Sequence, residues 1–158
     1  MLTSDSKRIN AVDIHSFDRS VIDFFRRTFL PFARIALFVV FFWFGALKFF
    51  DLSPASPLAE ALTAQTVGLQ YFDVLFKGLS LVECLIGVLF LVPKATRIVI
   101  PLLLVHMAVV SAPLVLVPAH VWTGFLVPSL EGQYILKNLV IVAVAIGIAA
   151  QTKPLTSK

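Results

Sequence analysis

The stretch VLFKGLSLVECLIGVLFLVPKATRIVIPLLLVH, residues 74–106, decides the fold. It holds one apolar run and the start of another, and each run reaches about the 20 residues that a helix needs to cross the hydrocarbon core of a bilayer. Between the runs stand Pro93, Lys94 and Arg97, which are typical of a tight turn at a membrane surface. The stretch therefore predicts two antiparallel membrane-spanning helices joined by a short basic turn.

The composition of the whole chain agrees with an integral membrane protein. Of its 158 residues, 59% are hydrophobic and 14% are charged, and the mean hydropathy is +0.95. These values exclude a soluble globular domain. The basic residues stand beside apolar runs and not on a polar domain, so a nucleic-acid partner is not expected. The single cysteine, Cys84, excludes both an intrachain disulfide and a Cys-x-x-Cys redox centre.

We predict an all-α fold, an integral membrane four-helix bundle that occupies residues 32–150. The bilayer is thus the first partner of the chain. Arg34 and Lys48 lie near the ends of the first span, where long cationic side chains commonly snorkel toward water. The spans are expected at about residues 32–50, 74–92, 98–117 and 134–150.

The residues before the first span predict a leader, residues 1–31. Within residues 16–30, Phe17 and Phe24 share one helical stripe, and the charged residues mostly occupy the other side. This pattern predicts an N-terminal amphipathic helix that lies in the headgroup region. Residues 151–158 form a short basic tail.

The connection between the third and fourth spans is apolar yet rich in proline. Residues 113–130 contain Pro113, Pro118 and Pro128, and each proline interrupts helical hydrogen bonding. Free backbone groups cannot be satisfied in lipid. The pattern therefore predicts a broken, outward-facing cap with Trp122 at headgroup depth, and not a fifth span.

The charged residues predict the orientation. Most of the 13 Lys and Arg lie before the first span, in the turn between the second and third spans, or in the tail: Lys7, Arg8, Arg19, Arg26, Arg27, Arg34, Lys94, Arg97, Lys153 and Lys158. The other two connections carry acids: Asp51, Glu60, Asp73 and Glu131. The positive-inside rule then places both termini in the cytoplasm.

Glu83 is the residue most indicative of function. An acid inside a spanning helix costs about 3 kcal/mol on insertion scales, so it marks a candidate site. Helical rise places it roughly 14 Å below the outer start of its span, while Lys48 and Lys137 lie near the outer ends of theirs. We expect Glu83 to face the interior within reach of Lys48 or Lys137. The alternative is a structural acid that only holds helices together.

His106 lies near the middle of the third span, at a depth compatible with Glu83. A neutral imidazole both donates and accepts, so proton transfer or a hydrogen bond to a quinone oxygen is one interpretation, and a packing residue is the other. The remaining histidines, His15 and His120, lie in the leader and the cap. No metal site is predicted, because metal sites need several donors.

The start of the last span supplies two further candidates, Lys137 and Asn138. A lysine at a helix N-terminus opposes the helix dipole and favours a nearby acid or anion. The alternatives are a snorkelling anchor and an ordinary helix start. Trp43, Trp122 and Tyr134 are interpreted as interface or packing aromatics, with stacking on a ligand as the second option.

Three segments carry a family resemblance: WFGALKF at 43–49, Glu83 with Gly87 one turn later, and GQYILKN at 132–138. Together they resemble the DoxX-like four-helix membrane proteins, in particular the YkgB-type branch, over about residues 32–150. The resemblance implies a compact four-helix protein of the bacterial inner membrane. It also links the chain to quinone redox chemistry or oxidative-stress tolerance.

The chain departs from that branch at one end of the bundle. The branch usually has Arg and Asp at the positions of Gln133 and Asn138. An ion pair carried over from the family is therefore not expected there.

Three function classes stay open from the sequence. The leading hypothesis is a quinone-linked redox membrane subunit or accessory that binds a quinone headgroup or small anion in the outer half of the bundle, with these residues: Lys48, Glu83, His106, Lys137 and Asn138. Such a protein has no covalently bound cofactor and needs a membrane or periplasmic redox partner, so its enzyme status stays open. The others are a small transporter or channel, which requires a homo-oligomer, and a scaffold subunit of a larger membrane complex.

Overall fold

The computed structural model describes residues 3–154, with side chains from residue 14 onward. The described chain is mostly helical. Four stretches within the described residues are long and apolar enough to cross a membrane: Ile14–Phe49, Leu69–Leu91, Pro93–Leu116 and Leu130–Ala150. This confirms a helical membrane protein with four candidate spans. The ends of the predicted leader and tail, residues 1–2 and 155–158, lie outside the described residues, as do the side chains of Lys7, Arg8 and Lys158.

The chain consists of two compact units, Met1–Ala33 and Arg34–Lys158. Helix α1 is assigned over Thr3–Phe49 with Pro31 inside it, whereas the sequence predicted a leader helix separate from the first span. A proline removes one helical hydrogen bond, and the helix continues when both flanking segments favour helix. The structure therefore does not delimit the predicted amphipathic helix as an element of its own.

The middle of the second unit contains the next helices of the chain. A 3₁₀ turn, Pro93–Ala95, joins the second and third spans, and it follows Val92, which is extended as residues before proline usually are. A further helix begins at Ser56 and has Pro57 in its first turn, where the missing amide donor costs little. The bounds are α2 Ser56–Thr66, α3 Phe72–Leu91 and α4 Thr96–Ser111, with a further 3₁₀ turn at Leu69–Tyr71.

The cap is broken at its prolines, as predicted. Pro113 and Pro118 each begin a one-turn helix, and no helix runs across Pro118. The elements are α5 Pro113–Leu116, α6 Pro118–Val121, β1 Trp122–Gly124 and β2 Val127–Pro128. The two strands form an antiparallel pair that the all-α prediction lacked. Strands this short show no alternation of apolar and polar residues, so periodicity could not reveal them.

The last span begins earlier than predicted and is interrupted once. Helix α7 covers Leu130–Leu136 and α8 covers Asn138–Ala150. The Ser129 hydroxyl caps α7 by accepting a hydrogen bond from the amide of Gly132 at 3.2 Å. A Cβ atom at Gly132 would overlap the main-chain oxygen of Val121, so glycine is required where α7 meets the cap.

Helices α1 and α3 approach closely through glycines. A Cβ atom at Gly87 would lie 2.9 Å from the main-chain nitrogen of Phe42, and one at Gly45 would lie 2.9 Å from the main-chain oxygen of Ser80. The fully buried Ser80 hydroxyl donates to the main-chain oxygen of Gly45 at 2.6 Å. Such small-residue contacts let helix backbones pack closely within a membrane.

Gly87→Ala should lower the thermal stability of the detergent-purified protein. The added methyl group meets backbone atoms that cannot rotate away, and overpacking of this kind costs about 1–3 kcal/mol. The matched control is Gly78→Ala on the same helix, where the new methyl group meets no atom within 4 Å. This control should be neutral or slightly stabilising, because alanine favours helix by about 1 kcal/mol. Equal unfolding midpoints for the two variants would contradict the close α1–α3 contact.

Candidate functional site

The carboxylate of Glu83 is the centre of a buried polar cluster in the second unit. Its side chain lies on the packed face of α3, where Ile86 and Phe90 are fully buried, and the residue is only 5% exposed. Lys48 at the end of α1 donates from Nζ to Glu83 Oε2 at 2.6 Å. The expectation that Glu83 faces the interior within reach of Lys48 is confirmed.

His106 of α4 completes the cluster on the other side of the carboxylate. Its Nε2 lies 3.4 Å from Glu83 Oε1, and the residue is 4% exposed. The imidazole and the Phe41 ring meet edge to face, with the ring centroids 5.7 Å apart. Glu83 thus has a cation at one oxygen and an imidazole at the other.

One polar atom of the cluster has no partner. Nδ1 of His106 is buried and makes no hydrogen bond to any described residue. A buried polar atom without a partner costs about 1–3 kcal/mol, and such atoms require a specific explanation. A ligand that makes the missing hydrogen bond to Nδ1 would explain why this atom has no partner among the described residues.

The local sequence explains why these three side chains meet. Gly45 brings α1 within contact of α3 at Ser80, one helical turn from both Lys48 and Glu83. The long lysine side chain can then lie over the carboxylate, and the aliphatic part of its stem is shielded in the bundle. Lys48 is 9% exposed, so it does not snorkel to water.

The other candidates at the last span lie apart from the cluster. Lys137 is exposed, and its Nζ lies 4.7 Å from the centre of the Tyr134 ring. Asn138, which is half-buried, begins α8. No hydrogen bond or ion pair among the described side chains joins either residue to Glu83. Lys137 directly follows α7, and its ammonium group lies over the ring of a residue in the last turn of that helix.

The three candidate aromatics do not line the cluster in any described contact. Trp43 and Tyr134 are 64% and 62% exposed and lie on outward faces of spanning helices. Trp122 is part-buried and donates from Nε1 to the main-chain oxygen of Leu114 at 3.0 Å. It therefore fastens β1 to α5 within the cap.

Sequence reasoning missed a second buried cation, Arg34. Its Nη1 donates to the main-chain oxygen of Phe90 at 3.0 Å and its Nη2 to Thr96 Oγ1 at 2.6 Å, so it does not snorkel. Helical spacing could have found it. Arg34, Leu37, Phe41, Gly45 and Lys48 follow one another at three or four residues, which places both cations on the buried stripe of α1.

Comparisons with known proteins supply no relative. No family model, curated protein or solved structure matches the chain. Among the described residues, no group of three or more His, Cys, Asp or Glu could hold a metal ion. The cluster of Lys48, Glu83 and His106 is therefore the structural feature that bears on function.

Lys48→Met should destabilise the protein by about 3–5 kcal/mol, because it leaves the Glu83 carboxylate buried without its cation. The double variant Lys48→Met/Glu83→Gln should recover most of that loss, since neither charge then remains. Unfolding titrations in detergent measure the free energies of unfolding of the wild type, Lys48→Met, Glu83→Gln and the double variant, which together form a double-mutant cycle.

The matched control for this cycle is Lys77→Met, which removes an exposed lysine from the start of α3. It should change the stability by less than about 0.5 kcal/mol. If the effects of Lys48→Met and Glu83→Gln simply add, the two side chains do not interact in the membrane protein.

Proposed function

We propose that the protein is a DoxX-like inner-membrane subunit or accessory of quinone-linked redox metabolism, and that it binds a quinone headgroup at the cluster of Lys48, Glu83 and His106. The observation that carries this proposal is Nδ1 of His106, which is buried beside a charged pair and has no partner among the described residues. A ligand oxygen placed against Nδ1 would complete its hydrogen bonding.

The surroundings of the cluster favour a lipid-soluble ligand. Between the cluster and the end of the unit that holds Arg34, the spans contain no charged or hydroxyl-bearing residue. This apolar layer covers residues 35–47, 84–92, 98–105 and 139–150. A quinone is itself dissolved in the bilayer and presents a polar headgroup on an apolar chain. It therefore matches a polar site with an apolar interior.

The same apolar layer disfavours a transporter or channel. Phe90 and Leu103 are fully buried between the cluster and the end of the unit that holds Arg34. A path for ions or polar solutes needs polar groups or water along its length. The cluster therefore suits a binding site better than part of a conduction path.

A small anion fits the cluster less well than a quinone. Lys48 is already held by Glu83 at 2.6 Å, so an anion would have to lie beside the carboxylate. Lys137, the second cation expected there, is exposed elsewhere. A neutral headgroup avoids this repulsion.

The chain would act with a partner, because it has no covalently bound cofactor in this proposal and the electrons must come from another subunit in the membrane or periplasm. Both termini would lie in the cytoplasm, since ten of the 13 Lys and Arg lie before the first span, in the turn between the second and third spans, or in the tail. The segment 16–30, with Phe17 and Phe24 exposed in the first unit, would lie along the headgroups.

Quinone binding tests the proposal. The protein in lipid nanodiscs should bind a short-chain ubiquinone or menaquinone analogue saturably, as followed by quenching of tryptophan fluorescence. His106→Leu should weaken binding at least about tenfold, because one hydrogen bond to a charged or polarised group is worth about 1.5 kcal/mol or more.

The matched control is His120→Leu, which removes an exposed histidine of the cap and should leave binding unchanged. Unfolding midpoints establish that both variants are folded. Equal affinity for the wild type and His106→Leu would contradict the proposed site. Absence of saturable binding, together with lost stability in cluster variants, would favour the scaffold.

A further inference from the structure

The other end of the second unit holds a buried cation with no acid beside it. Arg34 is 8% exposed, and its guanidinium donates only to neutral oxygens, those of Phe90 and Thr96. Nε of Arg34 is buried without a hydrogen-bond partner, and no carboxylate among the described residues lies within ion-pair distance of it. A buried charge without a counter-charge is costly unless an anion compensates it.

The guanidinium is directed at the first residue of α4. Its Nη2 lies 2.6 Å from Thr96 Oγ1, which in turn donates to the main-chain oxygen of Pro93 at 2.7 Å. The first amide groups of a helix have no partners within the helix, and the helix dipole makes this end attractive to anions. The buried charge of Arg34 adds to that potential.

Exposed cations surround the same helix start. Lys94 precedes α4, and Arg97 is in its first turn. The Arg97 guanidinium donates from Nη2 to the main-chain oxygen of Lys153 at 2.7 Å, which brings a third exposed cation to this end.

The acids of residues 34–154 do not offset these charges. They stand just after α1, in α2, near the starts of α3 and α7, or in the cluster: Asp51, Glu60, Asp73, Glu131 and Glu83. Four cations therefore share one end of the unit, and no acid of residues 34–154 lies there. Basic sites between spanning helices at the cytoplasmic surface are where anionic lipid headgroups bind.

We infer that the start of α4 is a binding site for the phosphate of an anionic phospholipid, held by Lys94 and Arg97 with Arg34 as the buried charge beneath. The exposed cations at the start of α4 bind the phosphate oxygens, the helix dipole adds to their attraction, and the acyl chains lie along the spans. This site lies apart from the quinone cluster and does not depend on it.

Lipid titration of the detergent-purified full chain tests the site. Phosphatidylglycerol should raise the thermal unfolding midpoint saturably, whereas phosphatidylcholine and inorganic phosphate should not. Lys94→Gln/Arg97→Gln should lower the apparent affinity for phosphatidylglycerol about 30-fold, since each of the two cations near a headgroup contributes about fivefold.

The matched control is Lys77→Gln/Lys137→Gln, which removes the same net charge from exposed positions near the starts of α3 and α8. It should keep the wild-type affinity. Equal shifts with phosphatidylcholine, or equal loss of affinity in the two double variants, would overturn the site. A full shift with inorganic phosphate alone would overturn the lipid as its ligand.

Discussion

The contact between Lys48 and Glu83 is the interaction on which the rest of the structure depends. Two opposite charges inside a spanning bundle are tolerable only when they touch, because each would otherwise be stranded in a medium of low dielectric constant. The contact at 2.6 Å fixes the end of α1 against α3, and Gly45 and Gly87 provide the space for that approach. The position of His106 follows, because its imidazole packs against the same carboxylate.

This arrangement separates two polar regions of the second unit by an apolar layer. At one end the Glu83 carboxylate is paired with Lys48, and Nδ1 of His106 has no hydrogen-bond partner among the described residues. At the other end Arg34 and its exposed neighbours have a net positive charge. The first environment suits a neutral headgroup dissolved in the bilayer and the second suits an anion at its surface, so the two proposed ligands differ in chemistry.

Sequence reasoning predicted the spans and the central contact because both have strong local or energetic causes. The apolar runs define the spans, and an intramembrane acid such as Glu83 has few options besides an interior cation. The choice between Lys48 and Lys137 could not be made, because it depends on which helix faces α3 and on the stacking of Lys137 against Tyr134. The nearness of Arg34 to a span end predicts snorkelling, whereas its helical spacing places it on the buried stripe of α1. The pairing of β1 with β2 depends on tertiary contacts that no period in the sequence encodes.

The most direct test of this account is a distance within the unmodified protein. Solid-state NMR of the chain in bilayers can measure dipolar recoupling between the ¹⁵Nζ of Lys48 and the ¹³Cδ of Glu83, with Lys48→Met used to assign the lysine signal. We predict the strong coupling of a direct contact, in keeping with the 2.6 Å between Nζ and Oε2. A fully resolved Glu83 signal with no recoupling to any lysine would contradict the account, because the buried pair that organises the bundle would then be absent.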